Sequence, residues 1–197
     1  VWSWDCAFNA VAMAPADADV AWDQLMVVFD LQDASGKLPD CVSDGLVGRE
    51  FTKPPIHGWA LRRMREKGAV PPERLAEIYP KLAKWTRWWL DCRDRDGNGL
   101  CEYEHGNDSG WDNGTAFLES PSVESPELQA FLVVQMDVLA ECADALNRPG
   151  EAVSWRKEAD ALAARTVATL FDAEGRPRVR RIADGRCFEP QTLMTRL

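Results

Sequence analysis

Long stretches of this chain place apolar side chains every three or four residues, the period of an amphipathic helix, and no stretch alternates them as a half-buried strand requires. Over roughly 17–33 the stripe runs through Val20, Leu25, Val28 and Leu31. Over roughly 72–92 it takes in Leu75, Ile78, Tyr79, Leu82, Trp85 and Trp89. Roughly 126–147 carry Leu128, Phe131, Leu132, Gln135, Leu139, Cys142 and Leu146, and roughly 150–171 carry Val153, Ala159, Leu162, Thr166 and Leu170. Shorter helices are expected at 4–13 and 56–67, with a further one starting near Phe188. The spacing predicts an all-α fold of helical hairpins. Two long connections, about 34–54 and 94–125, are rich in Gly, Pro, Asp, Asn and Ser. Connections longer than about 12–15 residues in a compact domain usually serve function or are disordered, and these two hold acidic and aromatic side chains. Short turns after 13, 69 and 147 alternate with them, which puts both long loops on one rim, as in a cup.

Charge narrows the partners. The 197 residues carry 23 Lys+Arg against 32 Asp+Glu, a net charge of −9. Phosphate neutralisation needs clustered cations, so neither nucleic acid nor a membrane is expected; the densest basic run, Arg176 to Arg181, is short. A hydrophobic fraction of 46% is enough for one domain with a core, and no run of about 18 apolar residues is present to span a bilayer. Cysteines at 6, 41, 92, 101, 142 and 187 form no C-x-x-C pair, so reduced thiols and a cytoplasmic setting are the expectation. The chain opens at Val1 and reads like the interior of a domain, which leaves secretion open. Nine Trp against two Tyr fit either a core or a sugar-stacking wall. The Trp85-Thr86-Arg87-Trp88-Trp89 run and the five Met read as core. His57 follows Pro-Pro at a helix start and either lines the cup or caps, whereas His105 reads as an exposed loop residue. Without a His/Cys cluster no zinc site is expected, and no G-x-S-x-G or phosphate loop is present.

The second loop holds Asn107-Asp108-Ser109-Gly110-Trp111-Asp112-Asn113-Gly114-Thr115. An acid beside a Trp in a glycine-flanked turn can be aimed into a pocket with an aromatic wall, the setting of a general acid; the same string also suits a plain turn capped by Asp112 or Asn113. Just upstream, Asp94-Arg95-Asp96-Gly97-Asn98-Gly99-Leu100 has oxygen donors at alternating positions and Gly at the sixth, like the first half of a calcium loop. Position twelve is His105 and not a bidentate Glu, which excludes a complete EF-hand. The alternative is a solvated turn without metal.

Taken in order, several strings resemble glycoside hydrolase family 63 and the mannosylglycerate-hydrolase-like enzymes, members of the trehalase-related clan of six-hairpin glycosidases. Ser109-Gly110-Trp111-Asp112-Asn113 is similar to the family's S-G-x-D-N, Trp4-Asp5 to its early W-D, Gly36-Lys37-Leu38-Pro39 to its G-x-[IL]-P and Lys53-Pro54-Pro55 to its Q-P-P. Tyr79-Pro80-Lys81-Leu82, Trp88-Trp89, Arg93-Asp94 and Gly97-Asn98-Gly99-Leu100 follow the family's Y-P-x-L, WW and RD-x-D-G-D-G-L stretch, so the resemblance covers about residues 1–172.

The resemblance implies an (α/α)6 barrel of which this chain, 1–197, is about half: six helices and the start of a seventh, where the family fold has twelve. It makes Asp112 the general acid. Trp4 and Asp5 would line the subsite for the sugar that is cleaved off, with Trp111 and Asn113 beside them. Lys53, where the family usually has Gln, either reaches an acidic substrate group such as a glycerate carboxylate or pairs with a neighbouring Asp. Related barrels hold a structural calcium in a similar loop, which nominates Asp94, Asp96, Asn98, the Leu100 carbonyl and Glu124; no cofactor is implied for catalysis. The implied activity is an inverting hydrolysis of a small α-glucoside or α-mannoside such as a glycosylglycerate, with trehalose or a larger oligosaccharide as runner-up. The base would be a Glu in the rest of the catalytic domain, the one macromolecular partner expected; Glu119, Glu124 and Glu127 follow Asp112 too closely to be assigned that role. From a different class, the hairpins could instead form a non-catalytic interaction module.

Overall fold

The computed structural model describes residues 1–112 and 114–190. Among them are six α-helices: α1 Ser3–Met13, α2 Ala18–Met26, α3 His57–Glu66, α4 Pro72–Cys92, α5 Pro126–Ala145 and α6 Pro149–Leu170. Their starts follow from local chemistry. The Asp17 carboxylate accepts the Asp19 and Val20 N–H groups at 3.0 Å, and α4, α5 and α6 each begin with a proline, whose missing N–H costs nothing in a first turn. α2 ends earlier than its periodicity suggests, and beyond it the Asp33 carboxylate turns back on the N–H groups of Ser35, Gly36 and Lys37.

Helices α1, α3 and α5 pack side by side, with α2 against α1 and with α4 and α6 against α5. This is the alternation of inner and outer helices expected of a helical toroid, here an open arc and not a closed barrel. Gly58 makes a close approach in it possible. A Cβ there would lie 2.9 Å from the Gln135 Cα, so only glycine lets α3 lie this near α5. The Gln135 amide fills the seam, accepting the Gly58 N–H at 3.0 Å and donating to Thr86 Oγ1 of α4 at 3.0 Å. Trp85, Trp88 and Trp89 are buried behind it, Trp85 and Trp88 stacked at 5.2 Å. On α6 the buried stripe passes through Ala152, Trp155, Ala159, Leu162, Thr166 and Leu170, while Val153, one residue out of step, is 64% exposed. His57 is buried between Phe29 and Trp85, with Nε2 3.2 Å from the Ser3 carbonyl, and burial pushes it down to about 4. It is a core histidine and does not line the cup.

The all-α expectation holds, and a few short strands accompany the helices. β1 Cys41–Ser43 and β2 Leu46–Gly48 make a hairpin with Val42 opposite Val47. β3 Val123–Glu124, β4 Val179–Arg181 and β5 Cys187–Phe188 make a three-stranded antiparallel sheet, β4 in the middle. Phe188 therefore sits in a strand, and most of the helix expected to start near it would lie outside the described residues. Two or three residues are too few to print an alternation on the sequence. No helix among the described residues is long and apolar enough to cross a membrane.

Gly58→Ala should gain helix propensity yet force α3 and α5 apart, for a net loss of about 1–3 kcal/mol. A thermal melt that moves down by several degrees supports the close-approach account; an unchanged or higher Tm removes it.

Candidate active site

The two long loops meet on one side of the arc, as the alternation of turn lengths predicts. Between them lies a cleft of about 470 Å³ lined by Trp2, Trp4, Asp5, Asp40, Glu50, Phe51, Lys53, Asn107 and Asp112, among others. Trp4 and Asp5 come from the first turn of α1, Lys53 from the first loop and Asp112 from the second. Four of the six residues expected from sequence to serve catalysis or sugar binding are thus brought to one cleft. Trp111 is not among its lining residues. It turns to an adjoining apolar groove with Phe8, Trp59 and Phe131, and Trp4 forms the wall shared by groove and cleft. The second aromatic wall of the cleft is Trp2, half exposed. Asn113 lies outside the described residues.

The turn that presents Asp112 is built tightly. Gly106–Ser109 forms a single 3-10 turn, in which Ser109 Oγ donates to the Gly106 carbonyl at 2.7 Å and accepts the Trp111 N–H at 3.0 Å. Gly110 follows with φ 71°, and a Cβ there would be 2.4 Å from Trp4 Cζ2. The glycine of the S-G-W-D string is thus needed both for its left-handed backbone and for contact with the indole. Asp112 itself is exposed and also borders a second hollow that contains Glu119.

Lys53 is 6% exposed. Its ammonium donates to the Asn107 carbonyl, lies 3.4 Å from Asp40 Oδ1 and stands 5.2 Å above the Trp2 ring. The pairing with a neighbouring Asp is therefore realised. Burial pushes the Asp40 carboxyl up, and Lys53 works against that shift. Sequence reasoning misses Trp2, Asp40 and Glu50, although Trp2 and Asp40 adjoin strings that it singles out, Trp4-Asp5 and Gly36-Lys37-Leu38-Pro39.

The expected calcium ligands come together differently. Asp96 Oδ2 and Glu124 Oε1 both accept from Arg180 Nη1, at 2.8 and 2.6 Å, so a guanidinium stands where the cation was expected. Asn98 points its amide N–H, not its oxygen, at Glu124 (2.7 Å), its oxygen accepts the Leu100 N–H, and one Asp94 oxygen accepts the Gly99 N–H. Among the described residues no three Asp, Glu, His or Cys side chains form a metal-binding group. In this arrangement the Arg180 guanidinium, which β4 delivers by pairing with β3, lies between two of the nominated carboxylates. Close by, Glu102 is 1% exposed with neither oxygen hydrogen-bonded, and burial pushes it up to about 7.

An open arc of paired helices with loops meeting at one rim has the architecture of part of a six-hairpin toroid. Residues 1–194 match the family model described as "Mannosylglycerate hydrolase MGH1-like glycoside hydrolase domain", and the chain belongs to that family. It is 29% identical over 145 residues to the glucosylglycerate hydrolase of Mycolicibacterium hassiacum, an alignment covering 57% of this chain and 32% of the relative. It is 30% identical over 139 residues to the mannosylglycerate hydrolase of Thermus thermophilus, covering 59% and 34%. The match thus spans about a third of these curated relatives. Among solved structures, a GH63 mannosylglycerate hydrolase from Thermus thermophilus in complex with Tris and D-glycerate superposes with a TM-score of 0.78 at 23% identity, over 95% of this chain and 62% of that one.

Replacing Arg180 with Ala leaves the buried Glu124 without its charge partner, at a cost of about 3–5 kcal/mol, and EDTA or calcium should leave the wild-type Tm unchanged. A rise of several degrees with calcium in the wild type would restore the metal reading. For Glu102, whose value rises on folding from 4.5 to about 7, stability is fully present below pH 4.5 and is lost as pH climbs towards 7. Glu102→Gln should therefore flatten the fall in Tm between about pH 5 and 7.5 and raise Tm at the alkaline end; a parallel curve would refute the shift.

Proposed function

We propose that this chain supplies the acid side of a glycoside hydrolase active site, with Asp112 protonating the glycosidic oxygen of a small α-glucoside or α-mannoside such as a glycosylglycerate. The observation that carries this reading is the convergence of Asp112, Asp5, Trp4 and Trp2 on one cleft. The Asp5 carboxylate can accept two sugar hydroxyls while the indoles face the apolar side of the ring, which orients the scissile bond towards Asp112. An inverting mechanism needs a second carboxyl about 6.5–9.5 Å from the acid to activate water; we assign it to the remainder of the catalytic domain, which is also the partner we propose for the apolar groove beside the cleft.

The glycerate class is favoured by the relatives, which are named glucosylglycerate and mannosylglycerate hydrolases. Lys53, already engaged by Asp40 and Asn107, acts in this reading as a strut between the loops, so the substrate carboxylate is left to other cations. Trehalose and larger oligosaccharides are the second choice of substrate.

In the full-length enzyme, Asp112→Asn keeps the side-chain shape but removes the transferable proton, so kcat on a glycosylglycerate should fall roughly 10²–10⁴-fold with KM nearly unchanged. Near-normal turnover by this variant would take Asp112 out of the mechanism.

A further inference from the structure

The turn that carries Asp112 is tied to the rest of the protein at Asp108, four residues earlier, and the geometry points to Asp108 as the positioning residue for the acid. The inference rests on the reading of Asp112 as general acid. Asp108 is 1% exposed, yet both of its oxygens are in use. Oδ1 accepts the Thr52 N–H at 2.9 Å; Oδ2 accepts from Arg93 Nη1 at 3.1 Å and from the Glu104 N–H at 3.0 Å.

Each of the three donors belongs to a different part of the site. Thr52 stands between Phe51 and Lys53, both of which line the cleft. Glu104 leads into the acid turn. Arg93 follows the last residue of α4 and is itself fixed, 5.2 Å above the Trp88 ring and 2.9 Å from Glu104 Oε2. One carboxylate thus locks the acid turn, the opposite cleft wall and the end of a core helix into a single register. From there the path to Asp112 is short and stiff: Ser109 Oγ holds the Trp111 N–H, and Gly110 lies against Trp4.

A neutral amide cannot replace this group. Asn at 108 offers one acceptor and one N–H₂ to three donors on opposite sides, so at least one buried N–H loses its partner. The turn then shifts, and displacement of a catalytic group by about 1 Å costs up to 10²-fold in rate. A loss that arises through the acid has a signature that a general loosening of the fold lacks: it depends on how much protonation the leaving group needs.

The test compares wild type, Asp108→Asn and Asp112→Asn in the full-length enzyme on a glycosylglycerate and on the glycosyl fluoride of the same sugar. Asp108→Asn is expected to lower kcat on the glycoside by about 10–10²-fold, and on the fluoride by less than about 3-fold, with KM held on both. Asp112→Asn should show the same selectivity more strongly. Equal losses on both substrates, or none on either, overturn the positioning role. If Asp108→Asn does not accumulate as folded protein, Ser109→Ala, which cuts the same path one residue on, is measured instead: a selective loss supports the inference and a uniform one overturns it. A wild-type enzyme inactive on both substrates overturns the glycosidase reading, and this inference with it.

Discussion

The arc depends on how closely α3 and α5 can lie, and that closeness rests on an atom that is missing. Without a side chain at Gly58, the first turn of α3 presses on Gln135. The glutamine carries the contact onward, its amide bonded to the α3 backbone on one side and to Thr86 of α4 on the other. A polar residue, itself fully buried, is tolerated there because carbonyl and amide are both partnered. From this seam the positions of α1 against α3, and of the Trp85-Trp88-Trp89 layer behind, follow by ordinary packing.

What the helices fix only at their ends, charges fix in the loops. The first loop has its β1–β2 hairpin, and the second its 3-10 turn at Gly106–Ser109 and a small apolar cluster of Ala116 and Val123 with Val179 and Phe188. They are joined by Lys53 to the Asn107 carbonyl and by Asp108 to the Thr52 N–H, while the Lys53–Asp40 pair closes the first loop on itself. Burying such groups carries a desolvation cost that an apolar contact would avoid. What the cost secures is direction, since hydrogen bonds to a carboxylate and a carbonyl fix where the loops sit to within a fraction of an ångström, which oily contact between loops would not. The Arg180 guanidinium between Asp96 and Glu124 plays the same part at the far end of the second loop.

Elements with a long repeat are legible in the sequence, and those held by distant pairing are not. Six helices follow from the apolar period, and the order of the W-D, G-x-[IL]-P, Lys53-Pro54-Pro55 and S-G-W-D strings points to the cleft. The three-stranded sheet leaves no mark, since strands such as Val123–Glu124 are shorter than any period. Its consequence is equally hidden: nothing in the D-x-D-G-N-G string announces that Arg180 arrives from 84 residues away to bind Asp96. Asp108 sits inside the quoted string yet looks like an ordinary turn residue, because a turn Asp and an anchoring Asp differ only in what lies across the loop. Trp111 misleads for a similar reason. Adjacent in sequence, Trp111 faces the groove and Asp112 the cleft, a split that their spacing does not reveal.

That division of the turn between two surfaces has a chemical consequence. Trp4 has one edge under Gly110 and lines both the polar cleft and the apolar groove. A sugar has the same two-sidedness, with hydroxyls at its rim and C–H groups on its faces. The cleft offers Asp5, Asp40 and Glu50 to the former and the rings of Trp2 and Trp4 to the latter. Binding such a ligand would displace water from both indoles at once, at about 25 cal/mol for each Å² of apolar surface covered. That stabilisation falls on the side of the cleft where the acid turn is seated. In the proposed reading Trp4 serves the fold and the ligand with a single ring: its edge sets the height of the turn that carries Asp112, and its remaining surface faces the cleft.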